Sequence, residues 1–239
     1  MKDNVLKTIK IIIVNLFTVT RLIGAFLLPF IYIYKGSGIC SIWTICLFLT
    51  DAIDGFLARV LKSSTFFGSS MDALSDKLLS AVACVILGLT YTIMIPPIIL
   101  EIAILLTNYS TYRHGGNIQS SIIGKIKTIL LDICIVGSFI LLSLPSFNIN
   151  SGAINYIILN SPYYITLFGC ISTIAVIVAL LDYKKKNQIT RQDPSAININ
   201  ELNKIRKPFK EIMHDAFDTN YYLLHKDEGI MRQFYKANI

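Results

Sequence analysis

Six long apolar runs dominate the sequence, and they constrain the fold more than any other feature. A bilayer core about 30 Å thick is crossed by about 20 helical residues, and the runs approach or exceed that length. Only 15% of the 239 residues are Asp, Glu, Lys or Arg, whereas a soluble domain has roughly 25%. The sequence therefore predicts an all-α integral membrane protein with six transmembrane helices. The runs cover residues 11–34, 39–57, 73–95, 98–112, 122–144 and 156–181.

Turn-forming residues separate several of these runs. Gly36 and Gly38 follow the first run, and the Pro96-Pro97 pair separates the third run from the fourth. Residues 146–152 contain Ser, Asn and Gly between the last two runs. Glycine, proline and asparagine are the strongest local signals for chain reversal. These positions therefore predict turns between antiparallel helices.

The charged residues are concentrated in the last quarter of the chain. Residues 184–239 carry 11 basic and 7 acidic side chains, which gives +4 of the total net charge of +7. This asymmetry predicts two parts, a membrane domain over residues 1–183 and a polar cytoplasmic tail over residues 184–239. Hydrophobic residues at helical spacing within the tail predict short amphipathic helices.

Lysines and arginines in the short loops predict the orientation of the membrane domain. If the N-terminus is cytoplasmic, the outer turns contain only one basic residue, Lys35. The sequence therefore predicts a multi-pass protein of the cell membrane with both termini in the cytoplasm. The basic residues on the cytoplasmic side are then Lys2, Lys7, Lys10, Arg59, Lys62, Arg113, Lys125, Lys127, Lys184, Lys185 and Lys186.

Four aspartates lie where two predicted helices reach the cytoplasmic face. Asp51 and Asp54 are about 60° apart around one helix, and Asp72 and Asp76 are about 40° apart around the next. One ionised carboxylate in a membrane costs about 2.5–3.5 kcal/mol even on a lenient scale. A network of salt bridges would need more than the two basic residues near them in sequence. The pattern therefore favours carboxylates that hold two divalent cations for phosphoryl chemistry.

The spacing of these acids resembles the signature of the CDP-alcohol phosphatidyltransferase family. From residue 51 to residue 76 the chain reads Asp-x2-Asp-Gly-x2-Ala-Arg-x8-Gly-x3-Asp-x3-Asp. The resemblance implies a membrane enzyme, usually a homodimer, that moves a phosphatidyl group from a CDP-linked donor to an alcohol and releases CMP. It also implies two divalent cations, Mg²⁺ or Mn²⁺, held at Asp51, Asp54, Asp72 and Asp76, with Asp76 as the general base. By the same likeness, the residues that border the CDP moiety are Gly55, Ala58, Arg59 and Gly68.

A second pattern opens the first apolar run. Asn15, Thr18 and Arg21 recur every three residues, which brings them onto one side of a helix. Helix capping and snorkelling of the arginine to the membrane edge are structural explanations for it. The pattern also resembles the first helix of phosphatidylglycerophosphate synthases and of some cardiolipin synthases within the family. That resemblance implies that these three residues line the donor site.

Basic residues near the fifth run bear on the acceptor alcohol. Lys125 and Lys127 lie in the motif Gly-Lys-Ile-Lys-Thr, and Arg113 follows the fourth run. Three cations suit a phosphate group, although cytoplasmic membrane edges also collect basic residues. The motif resembles that of the phosphatidylglycerophosphate synthases, which implies CDP-diacylglycerol as donor and sn-glycerol 3-phosphate as acceptor. Cardiolipin synthases tend to have Asn at the position of Lys127.

Two alternatives stay open at this point. The same chemistry could use another acceptor, namely inositol phosphate, serine, or phosphatidylglycerol as in cardiolipin synthases. A cation transporter also contains buried acids, but these would lie near mid-membrane on several helices, whereas the four aspartates cluster at the ends of two. The expected partners are CDP-diacylglycerol, glycerol 3-phosphate, the lipid bilayer and a second copy of the chain. Nucleic acid is not expected as a partner.

Overall fold

The structure is a computed structural model, and it describes residues 2–61, 65–114, 121–147, 151–192, 204 and 206–225. The side chains of residues 2–15, 17, 51–52, 54–61 and 112 are outside this description. Within the described residues the chain is helical and contains no β-strand. The α-helices are α1 (Lys2–Leu61), α2 (Phe66–Thr90), α3 (Pro96–Arg113), α4 (Ile122–Ser143), α5 (Gly152–Gln192), α6 (Phe209–Phe217) and α7 (Thr219–His225).

Five helices in the described part of the chain are long and apolar enough to cross a bilayer, whereas six were predicted. The difference lies in α1, which contains two of the predicted runs. Gly36 interrupts α1 with φ 81° and ψ 178°, a conformation that is essentially restricted to glycine. Trp43 Nε1 donates a hydrogen bond to the carbonyl oxygen of Gly24 at 3.4 Å, although a straight helix would separate these residues by about 28 Å. Thus α1 consists of two arms, residues 2–35 and 37–61, that fold back on each other.

Local chemistry explains where the next helices begin. A short 3₁₀ turn, Thr92–Met94, follows α2, and α3 starts at Pro96, because the first helical position needs no backbone N–H. Ser121 caps α4 by accepting a hydrogen bond from the Gly124 amide at 3.0 Å. Helix α5 continues to Gln192, beyond the predicted end of the sixth run, so the three lysines at 184–186 extend a helix.

The apolar core lies between α1, α2 and α4, with α5 alongside. A smaller apolar cluster joins α3 to α5. Large apolar side chains also cover the outer faces of the helices, and Ile33, Leu89 and Leu159 are 72%, 74% and 79% exposed. Such an apolar exterior suits lipid tails and is unfavourable in water. The bundle is therefore that of a multi-pass membrane protein.

Two contacts define one end of the bundle. The Tyr32 hydroxyl lies 3.4 Å from Thr90 Oγ1, and Ser37 Oγ lies 3.3 Å from Ser146 Oγ. The turn at Gly36 is therefore at the same end as the C-terminal ends of α2 and α4. The starts of α2 and α4 lie at the opposite end, where the predicted aspartate site also lies.

Candidate active site

An N-terminal cap holds the start of α2. Thr65 is 2% exposed, and its Oγ1 accepts a hydrogen bond from the Gly68 amide at 3.0 Å, as N-cap threonines commonly do. The amide of Gly68, which was predicted to border the donor, is thus engaged within the helix. Asp72 and Asp76 follow one turn apart on one face of α2, so the cap fixes the beginning of the helix that bears both carboxylates.

Arg21 reaches from the first arm of α1 to that face of α2. Its side chain is fully buried, and Nη1 lies 2.9 Å from Asp76 Oδ1. Nη2 donates a hydrogen bond to Asp72 Oδ1, and Nε donates one to Ser75 Oγ at 3.1 Å. All three guanidinium nitrogens are therefore directed at α2. The side chains of Asp72 and Asp76 are still 37% and 33% exposed, so a ligand can reach both carboxylates.

This arrangement gives Arg21 a contact that the sequence analysis did not anticipate. The motif in the first helix predicted Arg21 as a residue of the donor site, whereas the only basic residues expected near the aspartates were the two close to them in sequence. The structure pairs Arg21 with two of the predicted metal ligands. Among the described side chains, one guanidinium faces two carboxylates, so this part of the site carries an excess negative charge that attracts cations.

The other predicted residues of the donor and metal sites are only partly described. Thr18 is buried and precedes Arg21 by three residues on the same arm of α1. The remaining members lie within α1, and their side chains are outside the described residues. They are Asn15, Asp51, Asp54, Gly55, Ala58 and Arg59.

The described half of the aspartate set suits a divalent cation in its chemistry. Mg²⁺ and Mn²⁺ prefer oxygen ligands, and Asp72 and Asp76 present carboxylates from adjacent turns. Among the side chains that the structure describes, no group of three or more His, Cys, Asp and Glu residues could hold a metal ion. Asp51 and Asp54 fall outside that set of side chains. The metal centre with four aspartates therefore stays a prediction.

The predicted acceptor cations lie in two different environments. Lys125 and Arg113 are exposed, and their side chains are available to a phosphate from the surrounding solution. Lys127 is only 7% exposed, and its Nζ donates a hydrogen bond to Glu101 Oε1. Lys127 therefore joins α4 to α3 by a partly buried ion pair, and a phosphate would have to share this lysine with Glu101.

Asp132, an acid in the middle of the fifth apolar run, was not predicted as a site residue. In α4 its side chain is half-buried, and Oδ1 accepts a hydrogen bond from Ser80 Oγ at 2.9 Å. Ser80 lies one turn beyond Asp76 on α2. The signal was present in the sequence, because a single acid within an apolar run is costly and calls for an explanation.

The C-terminal helices α6 and α7 cover the start of α2. The ring of Tyr222 lies 4.8 Å from the ring of Phe66, centroid to centroid, and the ring of Phe217 lies 4.7 Å from that of Phe67. Aromatic pairs at such distances contribute beyond their buried area. The part of the chain predicted as a tail therefore packs against the helix that bears Asp72 and Asp76.

Lys207 holds the two C-terminal helices together. Its Nζ donates hydrogen bonds to Asp215 Oδ2 at 2.7 Å and to the Tyr221 hydroxyl at 3.1 Å. Burial lowers the pKa of Lys207, but the hydrogen bonds to Asp215 and Tyr221 outweigh burial and raise this pKa above its usual value. The lysine is therefore charged at neutral pH, and it joins α6 to α7.

The sequence pattern of a known family covers most of the membrane domain. The family described as CDP-alcohol phosphatidyltransferase matches residues 11–159 of the chain, which include α2, α3, α4 and the start of α5. The match contains Arg21, Asp72 and Asp76 and extends over more than half of the chain. The chain belongs to the CDP-alcohol phosphatidyltransferase family and is thus a transferase enzyme.

Curated relatives carry the name CDP-diacylglycerol–glycerol-3-phosphate 3-phosphatidyltransferase. One from Yersinia pestis (strain Pestoides F) is 40% identical over 67 residues, which are 28% of this chain and 35% of the relative. One from Pseudomonas fluorescens is 44% identical over 77 residues, which are 30% of this chain and 39% of the relative. The matched stretch thus spans less than half the length of either relative. No solved structure matches the chain significantly.

Proposed function

We propose that this protein transfers a phosphatidyl group from CDP-diacylglycerol to sn-glycerol 3-phosphate and so forms phosphatidylglycerol phosphate and CMP. The family match over residues 11–159 carries the reaction class, and the names of the relatives support this donor and acceptor. A new P–O bond forms between a hydroxyl oxygen of the acceptor and the phosphorus that bears the diacylglycerol. The pyrophosphate P–O bond on that phosphorus breaks, CMP leaves with the electron pair, and the hydroxyl proton passes to the enzyme.

Asp76 is the base that takes this proton in the proposal. Its carboxylate is one-third exposed, and its contact with Arg21 is made through Oδ1. The second oxygen, Oδ2, then accepts the proton of the acceptor hydroxyl. The buried guanidinium fixes the orientation of the carboxylate, which a general base needs before a substrate arrives.

Two divalent cations, Mg²⁺ or Mn²⁺, belong to the proposal, because the family is generally dependent on divalent metals. Asp51, Asp54, Asp72 and Asp76 would hold them. When bound, such ions neutralise the pyrophosphate of the donor and stabilise the leaving CMP. Because Arg21 contacts both Asp72 and Asp76, the guanidinium and the cations compete for the same carboxylates.

In this proposal the donor and the acceptor bind on different sides of the site. The donor is bordered by one set of residues on α1 and at the start of α2. The exposed side chains of Lys125 and Arg113 bind the phosphate of the acceptor. Lys127 also binds it while keeping its contact with Glu101. The donor residues are Asn15, Thr18, Arg21, Gly55, Ala58, Arg59 and Gly68.

We propose six membrane crossings, with the two arms of α1 counted separately. The fold-back at Gly36 supports this count, because two antiparallel arms cross the bilayer twice. Arg113 and Lys125 lie at the end of the bundle where α2 and α4 start, which supports a cytoplasmic site and cytoplasmic termini in the cell membrane. Residues 1–183 form the membrane domain and residues 184–239 the cytoplasmic tail. A homodimer is expected from the family resemblance.

Release of CMP by the purified full chain, in micelles that contain CDP-diacylglycerol, tests the proposal. We expect release with glycerol 3-phosphate and Mg²⁺, and none with excess chelator. Asp76→Asn should lower kcat by about 10²–10⁴-fold, the usual contribution of a general base, whereas the matched change Asp182→Asn in α5 should leave kcat unchanged. Release in excess chelator would contradict the metal centre. Release only with inositol phosphate, serine or phosphatidylglycerol would replace the acceptor.

Substitution of Lys125 tests the acceptor site. Lys125→Ala should raise the KM for glycerol 3-phosphate by about 10- to 100-fold, because a charge-assisted contact is lost. The KM for CDP-diacylglycerol should not change. Lys185→Ala is the matched control, since Lys185 is an exposed lysine on α5. Equal effects of the two changes on the KM for glycerol 3-phosphate would contradict the role of Lys125.

A further inference from the structure

Asp132 is an acidic side chain in the apolar part of α4 to which the proposed reaction assigns no task. Its carboxylate is half-buried, and Ser80 Oγ is its hydrogen-bond donor, at 2.9 Å from Oδ1. No lysine or arginine among the described side chains forms an ion pair with it. A carboxylate at this depth is costly for a membrane helix, and a neutral side chain would serve equally well to bond a serine.

The surroundings of Asp132 connect it to the proposed active site. Its hydrogen-bond partner Ser80 is one turn beyond Asp76 on the same face of α2. The carboxylate is also within electrostatic reach of Asp76, Lys127 and Glu101. Polar groups from α2, α3 and α4 therefore meet around one region, and Asp132 approaches it from α4 at a deeper level than the exposed Lys125.

The chemistry of a carboxylate limits what it can bind in that region. It repels a phosphate, and it accepts hydrogen bonds from hydroxyl groups through both of its oxygens. Ser80 donates to Oδ1, and no described side chain donates a hydrogen bond to Oδ2, which can therefore accept one from a second hydroxyl. An acceptor with two hydroxyls could therefore bind both carboxylates, with its reacting hydroxyl at Asp76 and its other hydroxyl at Asp132.

We propose that Asp132 accepts a hydrogen bond from a non-reacting hydroxyl of the acceptor and so makes the enzyme selective for a polyol phosphate. The inference rests on the proposed function, because it concerns the acceptor of that reaction. A site built to bond a substrate hydroxyl discriminates strongly against the analogue that lacks it, since its own polar group is then left unpaired. Asp132 is thus a specificity residue on α4, opposite the base on α2.

Two acceptors that differ in one hydroxyl test this inference. Glycerol 3-phosphate and 3-hydroxypropyl phosphate share the primary hydroxyl and the phosphate, but the second lacks the hydroxyl on the central carbon. The wild-type enzyme should prefer glycerol 3-phosphate by about 10- to 100-fold in kcat/KM, the range for a charge-assisted hydrogen bond. In Asp132→Ala the preference should fall to less than about threefold, mainly because kcat/KM for glycerol 3-phosphate decreases.

Because the preference is a ratio measured on one preparation, it does not depend on how much of the protein is folded. Asp182→Ala, a matched loss of an aspartate from α5, should keep the wild-type ratio. Ser80→Ala retains the Asp132 carboxylate and should keep most of the preference. If Asp132→Ala fails to fold, Asp132→Asn decides instead, because it preserves the shape and the contact with Ser80 and should reduce the ratio.

The outcomes separate this inference from the proposed function. CMP release from wild-type enzyme with glycerol 3-phosphate, together with an unchanged acceptor ratio in Asp132→Ala or Asp132→Asn, overturns the role of Asp132 alone. A wild-type enzyme that accepts both alcohols equally also overturns it. The absence of CMP release with either alcohol overturns the proposed acceptor, and the role of Asp132 with it.

Discussion

Arg21 Nη1 lies 2.9 Å from Asp76 Oδ1 and joins the first arm of α1 to α2. The same guanidinium contacts Asp72 and Ser75, so one buried side chain orients three polar side chains on one face of α2. A guanidinium is suited to this task because its donors form a rigid planar fork. The first arm of α1 is therefore part of the site, although it has no acidic residue near Arg21.

Arg21→Ala should destabilise the protein and increase its response to Mg²⁺. Loss of the guanidinium leaves two carboxylates unpaired, which we expect to lower the free energy of unfolding by about 1–3 kcal/mol, less than for fully buried pairs because both acids are one-third exposed. A divalent cation can then replace the lost charge. The rise in Tm on addition of Mg²⁺ should therefore be larger in Arg21→Ala than in wild type. Thr20→Ala is the neighbouring control, and equal Mg²⁺ shifts in all three proteins would contradict the prediction.

Lys127→Met should destabilise the protein through Glu101. Removal of one partner from a fully buried ion pair costs about 3–5 kcal/mol. The side chain of Glu101 is 21% exposed, so we expect a smaller loss, about 1–3 kcal/mol. Glu101→Gln in the same background should recover part of that loss in thermal unfolding. Lys125→Met provides the comparison, since an exposed lysine should change the free energy of unfolding by less than about 0.5 kcal/mol. Additive effects of the Lys127 and Glu101 changes would show that the two residues do not interact.

Gly36→Ala should destabilise the turn between the arms of α1. A Cβ at Gly36 meets no atom within 4 Å, but its φ of 81° is strained for any residue with a side chain. The expected cost is about 1–3 kcal/mol, from the backbone alone. Gly152→Ala is a matched control, because a Cβ there also meets nothing within 4 Å and φ is not positive. Equal Tm values for the two variants would argue against the strained turn.

Tyr222→Ala should loosen the start of α2. The change removes the ring contact with Phe66, and such pairs are worth about 0.5–1.5 kcal/mol. Hydrogen exchange of the amides of residues 66–72 should become faster, while that of α3 should not change. Leu224→Ala is the control on the same helix, since Leu224 is 76% exposed. Unchanged exchange at residues 66–72 in Tyr222→Ala would show that α7 does not hold α2.

The contacts of Lys207 predict how the C-terminal helices respond to pH. Because the folded-state pKa of Lys207 is raised, its stabilisation is complete below the ordinary lysine pKa of about 10.4 and is lost as the pH rises through the higher folded value. Protection of the α6 amides, corrected for the intrinsic pH dependence of exchange, should therefore be constant between about pH 7.5 and 9.5. Lys207→Met should reduce protection throughout that range. A loss of α6 protection with a midpoint between about pH 7.5 and 9.5 would contradict this role of Lys207.

The helices could be predicted from the sequence because each depends on local information. An apolar run of the right length identifies a span, and Gly36 and Pro96 mark breaks that the structure contains. The family was recognisable for the same reason, since the aspartate signature lies within 26 consecutive residues, 51 to 76. The count of helices is the exception, because α1 continues through Gly36 as one element although its arms fold back.

The pairing of charges could not be predicted in the same way, because it depends on which helices meet. Arg21 lies 51 residues from Asp72 in sequence, so only the two basic residues nearer to the aspartates were expected to balance their charge. Lys127 was grouped with Lys125 by motif, although a lysine two positions along a helix points to a different side. Hydrophobic spacing in the tail, which includes Phe217, predicted amphipathic helices that lie either on the bilayer or on the enzyme. The spacing could not identify Phe67 as the partner of Phe217, because that contact joins distant parts of the chain.

The ring contact between Phe66 and Tyr221 joins parts of the chain that are made at different times. Tyr221 leaves the ribosome about 155 residues after Phe66, an interval of about 8–30 s at bacterial and eukaryotic synthesis rates. The helix that bears Asp72 and Asp76 is therefore synthesised well before α6 and α7 can cover its start. Assembly of this end of the enzyme is consequently a late event, completed only after α6 and α7 have been synthesised and have packed against the start of α2.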